Sequence, residues 1–163
     1  MRISPVVWRT TLWLSLGGWV GSWAFFAFVV SRVAFRILPG DVAGDLAGRL
    51  LATLHFGGAA LALAAAGSAW LLGRRGLLIG LPVVLAAVCA ASELWLSPAV
   101  AAVRPSAIGE AASEASSLRF ARLHALSLGL FLAVHLASIG LVVLHARRDV
   151  RLERDPSAAL PRP

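Results

Sequence analysis

Four long apolar blocks organise this chain, and short polar interruptions separate them. They cover residues 10–30 with a continuation toward 38, residues 50–72, residues 77–96 with an extension to 103, and residues 123–144. Each is close to the roughly 20 residues that a helix needs to cross a hydrocarbon core about 30 Å thick. Charge is confined to the ends of the blocks, with Glu93 as the exception, so helices that satisfy their own backbone polar groups are the spanning form to expect. The pattern predicts an all-α, integral membrane four-helix bundle over residues 1–146. Residues 104–117 hold Pro105, Gly109, Glu110, Glu114 and four serines and predict a solvated loop. Residues 147–163 alternate in charge and close on prolines, which predicts a polar, disordered cytoplasmic tail. The first block is too long for the apolar region of a signal peptide, and no small-x-small site closes it, so it is expected to stay in the protein.

Composition sharpens this picture. Of 163 residues, 59% are hydrophobic and 14% charged, against about 45–50% and 25% in soluble domains. The mean hydropathy is +0.82. A net charge of +7 would also suit a nucleic-acid binder, but all fifteen cations are arginines and most flank the apolar blocks. Juxtamembrane placement accounts for them, so the expected partner is the lipid bilayer and not a nucleic acid. The absence of Lys and Tyr reads as a GC-rich coding bias and suggests a bacterial source. Cys89 is the single cysteine and lies inside an apolar block, which rules out an intrachain disulfide or a paired-thiol clip. With four crossings, nine arginines fall on the side of the termini and six on the other. The positive-inside rule then puts both termini in the cytoplasm and the protein in the inner, cytoplasmic membrane.

Small residues point to close helix contacts. Gly17, Gly18, Gly21 and Ser22 form a double small-xxx-small pattern, and the second block offers Gly57, Gly58 and a run of alanines. They predict that the first two helices pack tightly together. Trp8, Trp13, Trp70 and Trp95 fall near helix ends, where indoles anchor at headgroups, while Trp19 and Trp23 lie deeper and are expected to pack against neighbours.

Ionisable groups at membrane depth are the candidates for chemistry. On the fourth helix, His124, Ser127, His135, Ser138 and His145 fall on one stripe at about 100° per residue, which predicts a face turned into the bundle or toward another chain. Counted by rise per residue, His55, Glu93 and His124 share a leaflet, and Arg32 and Arg36 are near enough to neutralise a buried Glu93 carboxylate. The candidate polar cluster is therefore His124, Ser127, Glu93, Arg36, Arg32, His55 and His135. An axial haem pair of His55 and His124 is the alternative. No CxxCH, catalytic triad, phosphate loop or dinucleotide fingerprint is present, so no catalytic residue, resident metal or cofactor is expected.

The segments WVGSWAFFAFVVSRVAFRILP (residues 19–39), LLATLHF (residues 50–56), ELWLSPAVAAVR (residues 93–104) and FARLHALS (residues 120–127) resemble the transmembrane protein 205-like family of small four-helix membrane proteins. The likeness is strongest at Phe120, Leu123, His124 and Ser127, and at Phe35, Arg36, Leu38 and Pro39. It departs from that family at Ala125 and Phe131, where Gly and Asn are usual, and at Ala52. The resemblance implies a non-enzymatic multi-pass membrane protein, since that family has no known catalytic activity. Its expected role is in a membrane assembly, as a homo-oligomer or with other subunits, or in small-solute or metal-ion passage; the haem- or metal-binding redox protein is the alternative.

Overall fold

The computed structural model describes residues 4–103 and 114–154, and all regular structure among them is helical. Four helices are long and apolar enough to cross a membrane: α1 (Pro5–Ile37), α2 (Gly40–Leu71), α3 (Leu77–Ala102) and α4 (Glu114–Arg154). Ser4 caps α1, its side chain accepting from the Val6 N–H at 3.3 Å, and Pro5 occupies the first turn, where its missing N–H costs nothing. α1 stops because Pro39 forces the preceding Leu38 into an extended conformation (φ −110°, ψ 150°). α2 starts at once, ten residues earlier than the apolar block at 50 predicts. The fourth helix also outruns its block. Residues 114–117 of the expected loop and residues 147–154 of the expected tail are helical, while residues 104–113 and 155–163 lie outside the described residues.

α2 packs extensively on α1 and α3, and α4 closes the ring by touching α1 and α3, so consecutive helices are neighbours. The buried positions explain how. They include Leu12, Leu16, Trp19, Trp23 and Phe26 on α1, His55, Gly58, Ala62, Ala65 and Ala69 on α2, Pro82, Leu85, Cys89 and Ser92 on α3, and Phe131, Val134, Ser138, Leu141 and His145 on α4, with Ser15, Ala66, Ser68 and Ala86 buried beside them. On every helix the spacing alternates three and four residues, the seam of a left-handed bundle with crossing angles near 20°. Other large apolar side chains, such as Leu14, Phe25, Leu63 and Leu136, are exposed around the outside, as a lipid-facing belt requires.

α1 and α2 do form a close pair, but not through the glycines of α1. A Cβ added to Gly17 or Gly21 would meet nothing within 4 Å, and one on Gly18 would only touch Leu61 at 3.8 Å. The contact lies at Gly58 on α2, where an added Cβ would sit 2.8 Å from Trp19 Nε1 and 3.2 Å from Trp23 Nε1. Large indoles on α1 thus lie against the bare backbone and alanines of α2, which is how bulky and small residues interdigitate at native density.

Each of two helices carries one π turn, Phe26–Val30 in α1 and Ser92–Leu96 in α3. A local feature accompanies each. Ser31 Oγ donates to the Ala27 carbonyl at 2.9 Å, competing with the helical ladder. Pro98 lacks the N–H that Leu94 would receive, and its ring crowds that carbonyl. A π turn holds one extra residue. The buried seam accordingly steps eight residues, from Phe26 to Ala34 and from Ser92 to Val100, where a regular heptad would step seven.

Candidate functional site

The π turn of α3 holds the site. Glu93 lies in it, and Ser97 follows one turn later, its Oγ donating to Glu93 Oε2 at 3.0 Å. His55 reaches the same oxygen from α2, with Nδ1 3.0 Å away, and the two side chains are only 7% and 15% exposed. Trp23 closes the site edge-on to the imidazole, with ring centroids 5.6 Å apart, and itself stacks on Phe131 at 4.6 Å. Phe26, the first residue of the other π turn, meets Phe131 edge-on at 6.0 Å. The two backbone irregularities therefore flank one level of the bundle, where His55 and Glu93 meet. An imidazole and a carboxylate at hydrogen-bonding distance can share or pass a proton, and either placement leaves both groups paired in a low-dielectric interior.

The partner of Glu93 is thus a histidine, not an arginine. Arg36 is exposed and has no ion-pair partner among the described residues. Arg32 is exposed too, its guanidinium 6.0 Å from the centre of the Phe28 ring one turn earlier. His124 is also exposed and stacks on Phe120 at 5.5 Å. His55 meets the ring of Trp23, which stacks on Phe131, and His124 lies seven residues before Phe131 on α4, a rise of about 10 Å. His55 is buried and His124 exposed, and among the described residues no hydrogen bond, ion pair or ring contact joins them. Ser127 and His135 are half-buried, and His135 Nδ1 is shut off from solvent with no partner among the described residues. Among those residues no group of three or more His, Cys, Asp or Glu side chains is placed to hold a metal ion.

The histidine stripe of α4 turns inward only toward its end, and there it meets a second polar centre that sequence reasoning left unassembled. The α2–α3 turn begins with Gly73 at φ 71°, a left-handed conformation suited to glycine. Its N–H bonds the Trp70 carbonyl and the Arg74 N–H bonds the Ala69 carbonyl, both at 2.9 Å, which is a Schellman motif. The motif fixes Arg74 just beyond the helix, facing α4. Its Nη2 donates to Asp149 Oδ1 at 2.6 Å and its Nη1 to His145 Nδ1. Trp13 Nε1 donates to Asp149 Oδ2 at 3.3 Å, and Arg9 lies 3.8 Å from Oδ1. Burial pulls the Arg74 guanidinium below its ordinary value, and the Asp149 carboxylate opposes that shift. His145 Nε2, on the other side of the ring, is shut off from solvent with no hydrogen-bond partner among the described residues. Asp149 is thus part of the bundle and not of a tail. The signal available for this centre is the i, i+4 spacing of His145 and Asp149, which puts both on one helix face. Since α1 begins and α4 ends here, both helix ends lie on the side of the Arg74 turn.

Residues 14–108 match a family described as a domain of unknown function, DUF4149. The chain belongs to that family. The DUF4149 match takes in His55, Glu93, Ser97 and Arg74, whereas α4 with His124, His145 and Asp149 lies beyond it. No curated protein and no solved structure matches the chain.

Proposed function

We propose that this multi-pass DUF4149 protein is a non-enzymatic component of a membrane assembly, with the His55–Glu93 pair as its protonatable element at membrane depth. One observation carries the reading. The interior is filled by side chains such as Leu12, Leu16, Trp19, Trp23 and Leu141, while Arg32, Arg36 and His124 at the end away from the Arg74 turn are exposed. A solute could cross such a monomer only by displacing its core, whereas a second helix could meet the exposed polar groups directly; polar groups at membrane depth pair with one another across helices. The likeness to the transmembrane protein 205-like family around Phe35–Pro39 and Phe120–Ser127 supports the same region as the one to test. The nine-to-six division of arginines supports cytoplasmic termini in the inner membrane.

The test is photo-crosslinking in the native membrane from residue 124, compared with residue 63, an exposed leucine of α2. Residue 124 should give a discrete product whose mass identifies a second copy or another subunit, and residue 63 should give lipid adducts only. Equal labelling at the two positions, or none at 124, overturns the reading.

A further inference from the structure

The α2–α3 turn leaves a hollow of about 540 Å³, lined by Trp70, Arg74, Arg75, Gly76, Ile79 and Gly80 among others. It is independent of the His55–Glu93 site, since Glu93 lies sixteen residues along α3 from its first residue, a rise of about 24 Å. Three features bear on what it takes. Arg75 is exposed and carries no ion pair among the described residues, and Arg74 with Arg9 outnumbers the single carboxylate of Asp149, so the charge beside the hollow is positive. Glycines at 76 and 80 leave its wall without side chains, and Gly76, at φ 62°, cannot lend a side-chain acceptor to the first turn of α3. The exposed ring of Trp70 and the exposed side chains of Leu71 and Leu77 continue the rim into the apolar belt.

We propose that this hollow binds the phosphate headgroup of an anionic phospholipid, with Arg75 as the cation that meets it. A phosphate ester suits this place because Arg presents a planar donor fork to its oxygens. A lipid suits it better than a free anion because the indole of Trp70 and the apolar rim give the acyl chains a surface beside the headgroup. The site is distinct from diffuse attraction of a basic surface, since it needs both the charge at 75 and the open volume beside Gly80.

Native mass spectrometry of the full chain in detergent tests this, with phosphatidylglycerol, phosphatidylcholine of the same tails, and inorganic phosphate as probes. Phosphatidylglycerol should be retained over phosphatidylcholine, and Arg75→Ala should lower its retention about fivefold, the effect of one juxtamembrane cation. Gly80→Leu should lower it as well with no change of charge, because that position is open for a side chain and its leucine would fill the hollow. Arg147→Ala, an exposed cation on α4, should leave it unchanged. Equal retention of the two lipids, wild-type retention by Arg75→Ala or Gly80→Leu, or an equal loss in Arg147→Ala overturns the proposal. Displacement of phosphatidylglycerol by inorganic phosphate assigns the hollow to a free anion and overturns it too.

Discussion

Replacing Glu93 by Gln tests whether His55 and Glu93 act as one unit. Two full charges 3.0 Å apart would attract by about 5–6 kcal/mol at an effective dielectric constant near 20. Desolvating both groups in a bundle core removes most of that. Polar pairs inside membrane bundles give a mean coupling of about 0.6 kcal/mol and a maximum near 1.7 kcal/mol in double-mutant cycles. With side chains 7% and 15% exposed and a third contact from Ser97, this pair belongs toward the upper end. Glu93→Gln and His55→Gln should each destabilise by about 2 kcal/mol, and the double variant by about 1–1.7 kcal/mol less than their sum. The assay is reversible unfolding in mixed micelles by added anionic detergent, followed by near-UV circular dichroism. Arg36→Gln serves as the comparison and should stay within about 0.5 kcal/mol of the parent, because Arg36 is exposed without a partner among the described residues. Strict additivity of the two single changes refutes the pairing, and a loss at Arg36 equal to that at Glu93 would restore the arginine as the counter-ion.

Three further outcomes are expected. Asp149→Asn leaves the buried Arg74 guanidinium without its carboxylate at 2.6 Å and should destabilise the bundle by about 2–3 kcal/mol in the same unfolding assay; a change under about 0.5 kcal/mol would show that the centre holds nothing together. Gly58→Ala forces a Cβ to 2.8 Å from the buried Trp19 indole and should lower stability by about 1–2 kcal/mol, whereas Gly21→Ala, with open space around it, should not, and the reverse order would put the α1–α2 contact on the other helix face. The purified protein should show no Soret band, because His55 is already paired with Glu93 while His124 is exposed; a band lost in both His55→Ala and His124→Ala would show that the two do form an axial pair.

The four spans were legible because length and lack of charge leave a helix no other form in lipid, and Glu93 was legible because a carboxylate at that depth requires a partner. The identity of that partner was not. Rise per residue from assumed helix ends grouped Glu93 with both histidines and the arginines, but it does not say which way each side chain faces, and it is His55 that reaches the carboxylate while His124 is exposed. The facing of α1 was hidden for a different reason. In a membrane helix the lipid side is as apolar as the core side, so polarity does not distinguish them, and a glycine stripe reads the same whether it faces α2 or lipid. What does distinguish them is the three-four alternation of bulky positions, and the π turns at Phe26–Val30 and Ser92–Leu96 break its phase just where the polar residues begin. Arg74 was hidden by its own position, since an arginine beside a glycine turn at a span's end is what the positive-inside pattern already expects.

The two polar centres differ in what a bundle would lose without them. Arg74, His145, Asp149 and Trp13 tie the first turns of α1, the α2–α3 turn and the end of α4 into one network, so this centre closes the ring and joins the helix that packs least to the three that pack most. The His55–Glu93 pair joins α2 to α3, which already pack extensively through the part of α3 before its π turn. Apolar residues of similar volume in place of a buried ion pair are often neutral or stabilising. The pair sits beside π turns, which recur at functional sites and hold one residue out of the regular ladder. Packing accounts for the centre at Arg74 and accounts less well for the one at His55, which is the ground on which a proton-holding role is proposed for the second and not for the first.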